Sequence, residues 1–199
     1  MNIEIITQPA FEPVTLVQAK QAARVDAADE DALWTGIIIP GCREDCEQIL
    51  GRAIMAQGLR LTLDGFPASR AIRLPRPRLL SVESVQYRDA AGDWIALGAE
   101  AYEVDTAHTP GRVVLAPAAS WPGTYGMPGS VRVNYTAGYA AGTEAQQQAA
   151  VPASVKRWIL ARTTTAYDFR DELIAGTIVS ALPNRFVDSA LDRERVYGI

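Results

Sequence analysis

The chain has 199 residues, 48% of them hydrophobic and 21% charged, with a formal charge of −4, one histidine and two cysteines. Such a composition excludes wholesale disorder, and the length allows one domain or two small ones with a core that needs no disulfide or metal. No apolar run reaches the ~20 residues of a membrane helix, so no membrane partner is expected, and residues 1–10 carry Glu4 without the basic start of a signal peptide.

Residues 13–51 read as helical. Thr15 is a good N-cap, and Leu16, Ala19, Lys20 and Ala23 follow at helical spacing. A second helix is predicted from near Asp29. Trp34, Ile38, Cys42, Cys46 and Ile49 form its apolar stripe, with Leu33 and Ile37 beside them and Gly51 as C-cap. Pro40 falls inside it, where a missing donor and a clash with the preceding turn predict a kink or a break. Asp26, Asp29, Glu30 and Asp31 lack the spacing and glycine of a calcium loop and read as helix-capping acids. Cys42 and Cys46 have no further Cys or His ligands nearby, which favours two buried, reduced thiols.

Residues 54–139 read as β-rich. Leu59, Leu61 and Leu63 alternate with polar neighbours, as in a strand with one buried face. Ile72–Leu74 is a short strand, and Val82, Val85 and Tyr87 lie on another that turns at Ala90-Ala91-Gly92 into Trp94–Leu97. Tyr102–Asp105 and Arg112–Leu115 form a hairpin around Pro110-Gly111, which places His108 in an exposed loop, and Val131, Val133 and Tyr135 mark the last strand. This is the pattern of a small sandwich or barrel.

Residues 140–150, with Gln146, Gln147 and Gln148, read as a low-complexity linker. Pro152 opens a helix carrying Val155, Trp158, Ile159 and Arg162 to about Tyr167. The predicted architecture is α+β. Residues 12–53 and 151–175 form a helical domain whose N-terminal and C-terminal helices pack together. An antiparallel β-sandwich or barrel-like module, 54–139, is inserted into it, and 176–199 form an extended C-terminal arm.

Charge is unevenly spread. Residues 1–51 hold nine acids and three bases, whereas 60–88 hold six arginines and two acids. Arg70, Arg73, Arg76 and Arg78 are the dense part. They read either as a patch facing phosphate or an acidic partner, or as the solvated face of a β module. The loop 116–130 carries Trp121, Tyr125 and Met127, which either form an interface or fold back over the β core. No phosphate-binding loop, nucleophile elbow or metalloprotease motif occurs, and no enzyme, metal or cofactor is expected. Asp168, Asp171 and Glu172 read as a solvated helix face with Arg170 among them.

One ordered set of motifs has a family character. It starts with Glu12-Pro13-Val14-Thr15-Leu16, Ala19-Lys20, Arg24-Val25-Asp26 and Glu30-Asp31-Ala32-Leu33. Leu50-Gly51-Arg52-Ala53-Ile54, Arg60-Leu61-Thr62-Leu63-Asp64, Phe66-Pro67 and Ile72-Arg73-Leu74-Pro75-Arg76-Pro77 follow. Then come Ser81-Val82-Glu83-Ser84-Val85, Tyr102-Glu103-Val104-Asp105, Gly111-Arg112-Val113, Val131 to Tyr139, and Val151-Pro152. From about residue 12 to 165, the order and spacing resemble the head–tail connector, or adaptor, proteins of long-tailed bacteriophages, prophages and gene transfer agents. Pro40 departs from that pattern.

The resemblance implies a structural virion protein assembled in a bacterial host cytoplasm and located at the head–tail junction. It implies a ring, typically of twelve copies, beneath the portal protein; the free protein can be a monomer. Such a ring extends the DNA channel, contacts passing DNA weakly and docks a stopper or tail-completion protein. On this reading Arg193, Arg195, Val196, Tyr197 and Ile199 are the portal-docking end of the arm. Arg70, Arg73, Arg76 and Arg78 would face the channel or a neighbouring subunit, and Trp121, Tyr125 and Met127 would form an interface loop. The alternative is a DNA-binding packaging or head-completion accessory protein that uses Arg70–Arg78.

Overall fold

Thr15 opens the first helix as its spacing suggests. Its hydroxyl accepts from the Gln18 amide at 3.2 Å, and the Gln18 side chain accepts from the Thr15 amide at 3.0 Å. This reciprocal cap starts α1 (Leu16–Ala23), which Arg24 ends in the left-handed conformation with φ 57°. These details come from a computed structural model that describes residues 1–169 and 191–196. By its contacts the chain divides into two units, whose described residues are Met1–Ala10 with Arg52–Gly142, and Phe11–Gly51 with 143–169 and 191–196.

In the helical unit the run after Asp31 continues without a break. It comprises α2 (Asp31–Leu33), a π-helical stretch Trp34–Ile38, and α3 (Ile39–Leu50). The helix does not break at Pro40; a π-helical turn precedes the proline instead. The Ile39 amide bonds to the Trp34 carbonyl, five residues back, and the backbone at Ile38 and Ile39 stays helical. Widening the turn before the proline accommodates its ring and missing donor while the helix runs on. Gly51, at φ 67°, closes α3.

Residues 140–150, expected as a linker, contain a further helix, α4 (Glu144–Ala150), started by a second capping box between Thr143 and Gln146. After Pro152 comes α5 (Ala153–Asp168), which packs against α1 and α3. Val14, Ala19, Trp34, Ile38, Cys42, Cys46, Val155, Trp158 and Ile159 are buried in this unit. The Trp34 ring stacks on Tyr167, with centroids 4.5 Å apart.

The other unit holds two antiparallel sheets. The larger has the order β1 (Asn2–Thr7), β2 (Gln57–Leu63), β8 (Val131–Ala137), β4 (Leu79–Arg88) and β5 (Trp94–Ala96). The smaller has the order β3 (Ala71–Arg73), β7 (Arg112–Leu115) and β6 (Tyr102–Asp105). Leu59, Leu61, Val85, Val133 and Tyr135 of the first sheet share one core with Ile72 and Val113 of the second. That is the sandwich arrangement the alternation predicts. The Tyr135 hydroxyl, deep in this core, donates to the Pro75 carbonyl at 2.7 Å. Strand β1 lies on the edge of the sheet, paired with β2 through Ile3 opposite Leu61 and Ile5 opposite Leu59.

Candidate functional site

The four arginines of the 70–78 segment differ in their surroundings. Arg70 turns its guanidinium onto backbone oxygens of the 115–119 segment, with Nη2 donating to Ala116 at 2.5 Å, Pro117 at 3.2 Å and Leu115 at 3.3 Å. It serves as a brace for that loop. Arg73 ends β3, exposed, with Arg112 as its register partner on β7. Arg76 adopts φ 56°, and its backbone bridges to that of Arg52. Arg78 is exposed.

Arg78 instead meets residues that sequence reasoning left unassigned. Together with Arg52, Thr106, Ala107, Thr109 and Tyr139 it lines a cleft of about 280 Å³ within the β unit. Arg52 is pre-set there, because Nη1 donates to the Tyr139 hydroxyl at 3.0 Å and its guanidinium carbon lies 5.2 Å from that ring's centre. Arg52 and Tyr139 stand in two of the family-like motifs, and only the fold brings them together across 87 positions. Beside the cleft, His108 Nδ1 lies 2.7 Å from Asp105 Oδ2, and Arg112 Nε donates to the same oxygen at 2.9 Å. The Arg112 bond, foremost, holds the Asp105 carboxyl below its ordinary value.

The loop 116–130 divides by residue. Trp121 stacks on Phe66 at 4.7 Å with nearly parallel rings, and its indole N–H donates to the Ser69 carbonyl at 2.8 Å. It packs against the β core. Tyr125 and Met127 stay in solvent, 44% and 54% exposed. The loop is fixed at its base, where the Gly129 amide donates to Asp64 Oδ1 at 3.0 Å and the Tyr125 amide to the Arg88 carbonyl at 3.0 Å.

Of the five residues assigned to the docking end of the arm, Arg193, Arg195 and Val196 are described; Tyr197 and Ile199 lie outside the described residues. The turn at 191–196 is tied to the end of α3. Leu191 is fully buried, the Val196 amide donates to the Leu50 carbonyl at 2.9 Å, and Arg195 Nε donates to the Ile49 carbonyl at 3.1 Å. A guanidinium at a helix C-terminus is favourable on dipole grounds as well. Arg193 remains exposed.

Inside the helical unit lies a charge cluster that the apolar stripe concealed. Arg43 is buried and binds Glu12 at 3.0 Å, Glu47 at 3.2 Å and Glu44 at 3.3 Å. Burial pushes the Glu12 carboxyl above its ordinary value, against the opposing pull of Arg43. Gln148 donates to the Glu12 carbonyl at 2.9 Å, so α3 and α4 both hold the chain just ahead of α1. The nearby thiols of Cys42 and Cys46 are free and buried, and burial pushes them up to about 11 and about 12. Among the described residues, no group of three or more His, Cys, Asp or Glu could hold a metal ion. Of the Asp168, Asp171 and Glu172 set, only Asp168 is described. No described helix is long and apolar enough to cross a membrane.

No protein-family model matches the chain, and no curated protein matches it. Its fold does match solved structures. A chain from the neck of an empty GTA particle, computed with C6 symmetry, superposes with a TM-score of 0.77 at 21% identity. A chain from the virion of a native gene transfer agent (GTA) particle gives 0.76 at 20%, and one from the neck of a native GTA particle, computed with C12 symmetry, gives 0.72 at 20%. Each match covers 100% of this chain and 97% of the other. At such identities the likeness is one of fold.

Proposed function

We propose that the chain is a structural, non-enzymatic subunit of the neck of a gene transfer agent or phage-like particle, at the head–tail junction. The observation that carries this reading is a fold likeness spanning both chains almost end to end, at a TM-score of 0.77. It is joined by the motif order from about residue 12 to 165, which resembles head–tail connectors independently of the fold.

In this reading the subunits form a ring, typically of twelve, beneath the portal protein. The ring extends the DNA channel, touches passing DNA weakly and receives a stopper or tail-completion protein. A ring joins two different patches of each subunit, so an acidic surface on one copy can meet a basic one on the next. The acidic stretch 1–51 and the exposed Arg73 and Arg78 offer such a pair. Tyr125 and Met127 are the members of the 116–130 loop that remain available for a partner, since Trp121 packs on the β core. Arg193, Tyr197 and Ile199 are the candidate portal-docking residues, while Arg195 and Val196 hold the base of that segment on α3.

Omitting this chain from a particle-producing cell tests the reading. Electron microscopy should then show filled heads without tails; intact tailed particles would refute it. Removal of residues 197–199 alone spares the buried Leu191 and tests the docking end, with loss of binding to portal-bearing heads as the expected result.

A further inference from the structure

We propose that the face of the five-stranded sheet turned away from its core binds the phosphodiester backbone of a nucleic acid through Arg60, Arg132 and Arg88. This surface lies wholly in the β unit and stands or falls apart from the neck assignment.

The register brings the three arginines into line. Side chains that sit opposite one another across an antiparallel sheet share a face. Leu59, Leu61, Val85, Val133 and Tyr135 point into the core, so the residues between them take the other side. One row there runs Glu4, Arg60, Asn134 and Ser84 across β1, β2, β8 and β4. The next runs Asn2, Thr62, Arg132, Gln86 and Ala96. A third pairs Arg88 with Trp94 of β5. Arg60, Arg132 and Arg88 therefore move down one row for each strand crossed. They form a diagonal with a step of about 8 Å, given the spacing of strands and the rise of two residues.

These cations are fixed in place but not neutralised. Among the described residues none of the three makes an ion pair. Glu4 is the one acid in the three rows, and it accepts from Asn2 Nδ2 at 3.1 Å. Arg60 Nε donates to Asn134 Oδ1 at 2.9 Å, and Asn134 Nδ2 donates to the Ser84 hydroxyl at 3.0 Å. Arg132 and Arg88 are held by an indole instead, their guanidinium carbons 4.0 and 5.1 Å from the centre of the Trp94 ring. Nε of both is buried and has no acceptor among the described residues. A buried donor left unmet is costly, and two cations on one ring repel each other. An oxyanion on this pair offsets the repulsion and gives its donors an acceptor. A guanidinium laid over an aromatic ring keeps its N–H edge for such a contact.

The arrangement favours a nucleic acid over an acidic peptide. Evenly stepped cations match a polymer with a charge on every unit, and Thr62, Gln86 and Asn134 between them suit phosphate and sugar oxygens. Trp94 carries two arginines, so its ring supports cations rather than a stacked base, and the contact is independent of sequence.

Fluorescence anisotropy of a labelled duplex oligonucleotide, titrated with the full chain at low salt, tests the proposal. Three phosphate contacts predict a slope of about −2.7 for log affinity against log salt. Arg132→Gln and Arg88→Gln should each weaken binding about fivefold and make that slope shallower by about one. Arg132→Lys keeps the charge and should keep the slope. Arg73→Gln, on the smaller sheet, should bind within about twofold of the parent. Amide NMR spectra report whether the sheet of each variant is intact, and the Arg88 and Arg132 Nε–H signals of the parent should shift as duplex is added. No saturable binding at low salt, or a parent-like slope in both glutamine variants, overturns the proposal. So does poly-glutamate moving the two Nε–H signals at lower concentration than the duplex, which assigns the face to an acidic protein partner instead.

Discussion

Replacing Arg43 by methionine tests how the helical unit is held together. The Arg43 side chain is 3% exposed and the Glu47 side chain 1%, so the exchange keeps the volume but withdraws the cation from a carboxylate that water cannot reach. Glu12, a quarter exposed, loses the same partner; Glu44 faces solvent and loses little. Breaking a buried pair from one side costs about 3–5 kcal/mol, and the open flank at Glu12 favours the lower end. A loss of about 3 kcal/mol corresponds to roughly 100-fold faster amide exchange where reclosing outruns exchange. Hydrogen exchange at the amides of α1 and α3 reads that loss in the helical unit itself. Arg43→Met/Glu47→Leu removes both members of the most buried pair and should recover much of the stability. The pH dependence has a definite sign. Burial already raises the Glu12 carboxyl above 4.5, and without Arg43 it rises further. A raised folded-state value favours folding below the unfolded value and loses that contribution as pH climbs through the folded one. The Arg43→Met deficit should therefore shrink toward acid and widen toward neutrality. Protection factors in the single variant within a factor of three of the parent would refute the argument.

Three further outcomes follow from the geometry. Cys42 and Cys46 should resist a thiol reagent at pH 8 in the folded protein and react on unfolding; stability should decline above about pH 9, as unfolded thiols ionise while the folded ones, raised to about 11 and 12, do not. Gly138→Ala sets a Cβ 2.8 Å from the Ala56 nitrogen and the Met55 carbonyl carbon at φ 158°, and should cost about 2 kcal/mol or more in thermal or urea unfolding. Trp121→Ala forfeits the Phe66 stack and the Ser69 hydrogen bond for a loss of about 2 kcal/mol, whereas Tyr125→Ala and Met127→Ala should each stay within about 0.5 kcal/mol of the parent by the same assay.

The sequence was most readable where burial repeats along one element. Trp34, Ile38, Cys42 and Cys46 mark a helix face and are buried together, and the alternation in Gln57–Leu63 and Val131–Ala137 carries directly into the sandwich core. Strand β1 escaped notice because it pairs on one side only and leaves most of its side chains in solvent. Helix α4 was obscured by its glutamines, although Thr143 and Gln146 stood at capping-box spacing. Arg43 had a local cue in Glu47, one turn on, but its third partner Glu12 sits 31 positions away. The cleft was harder still. Its two arginines and its tyrosine belong to three segments, and only the sheet register and the Arg52–Arg76 bridge bring them to one place. Arg70 looked identical to its neighbours in sequence and differs only in having carbonyls within reach.

The edge strand β1 and the late helix α5 set the order in which a growing chain can become stable. Residues 2–7 are made well before their partner β2, which begins at Gln57, and β2 in turn needs β8, which begins at Val131. Helices α1 and α3 wait longer, since the face they share is filled by a helix that starts at Ala153. The β unit cannot close before β8 has been made, and the helical unit waits for α5. That timing keeps half-made chains from presenting a finished surface to other molecules.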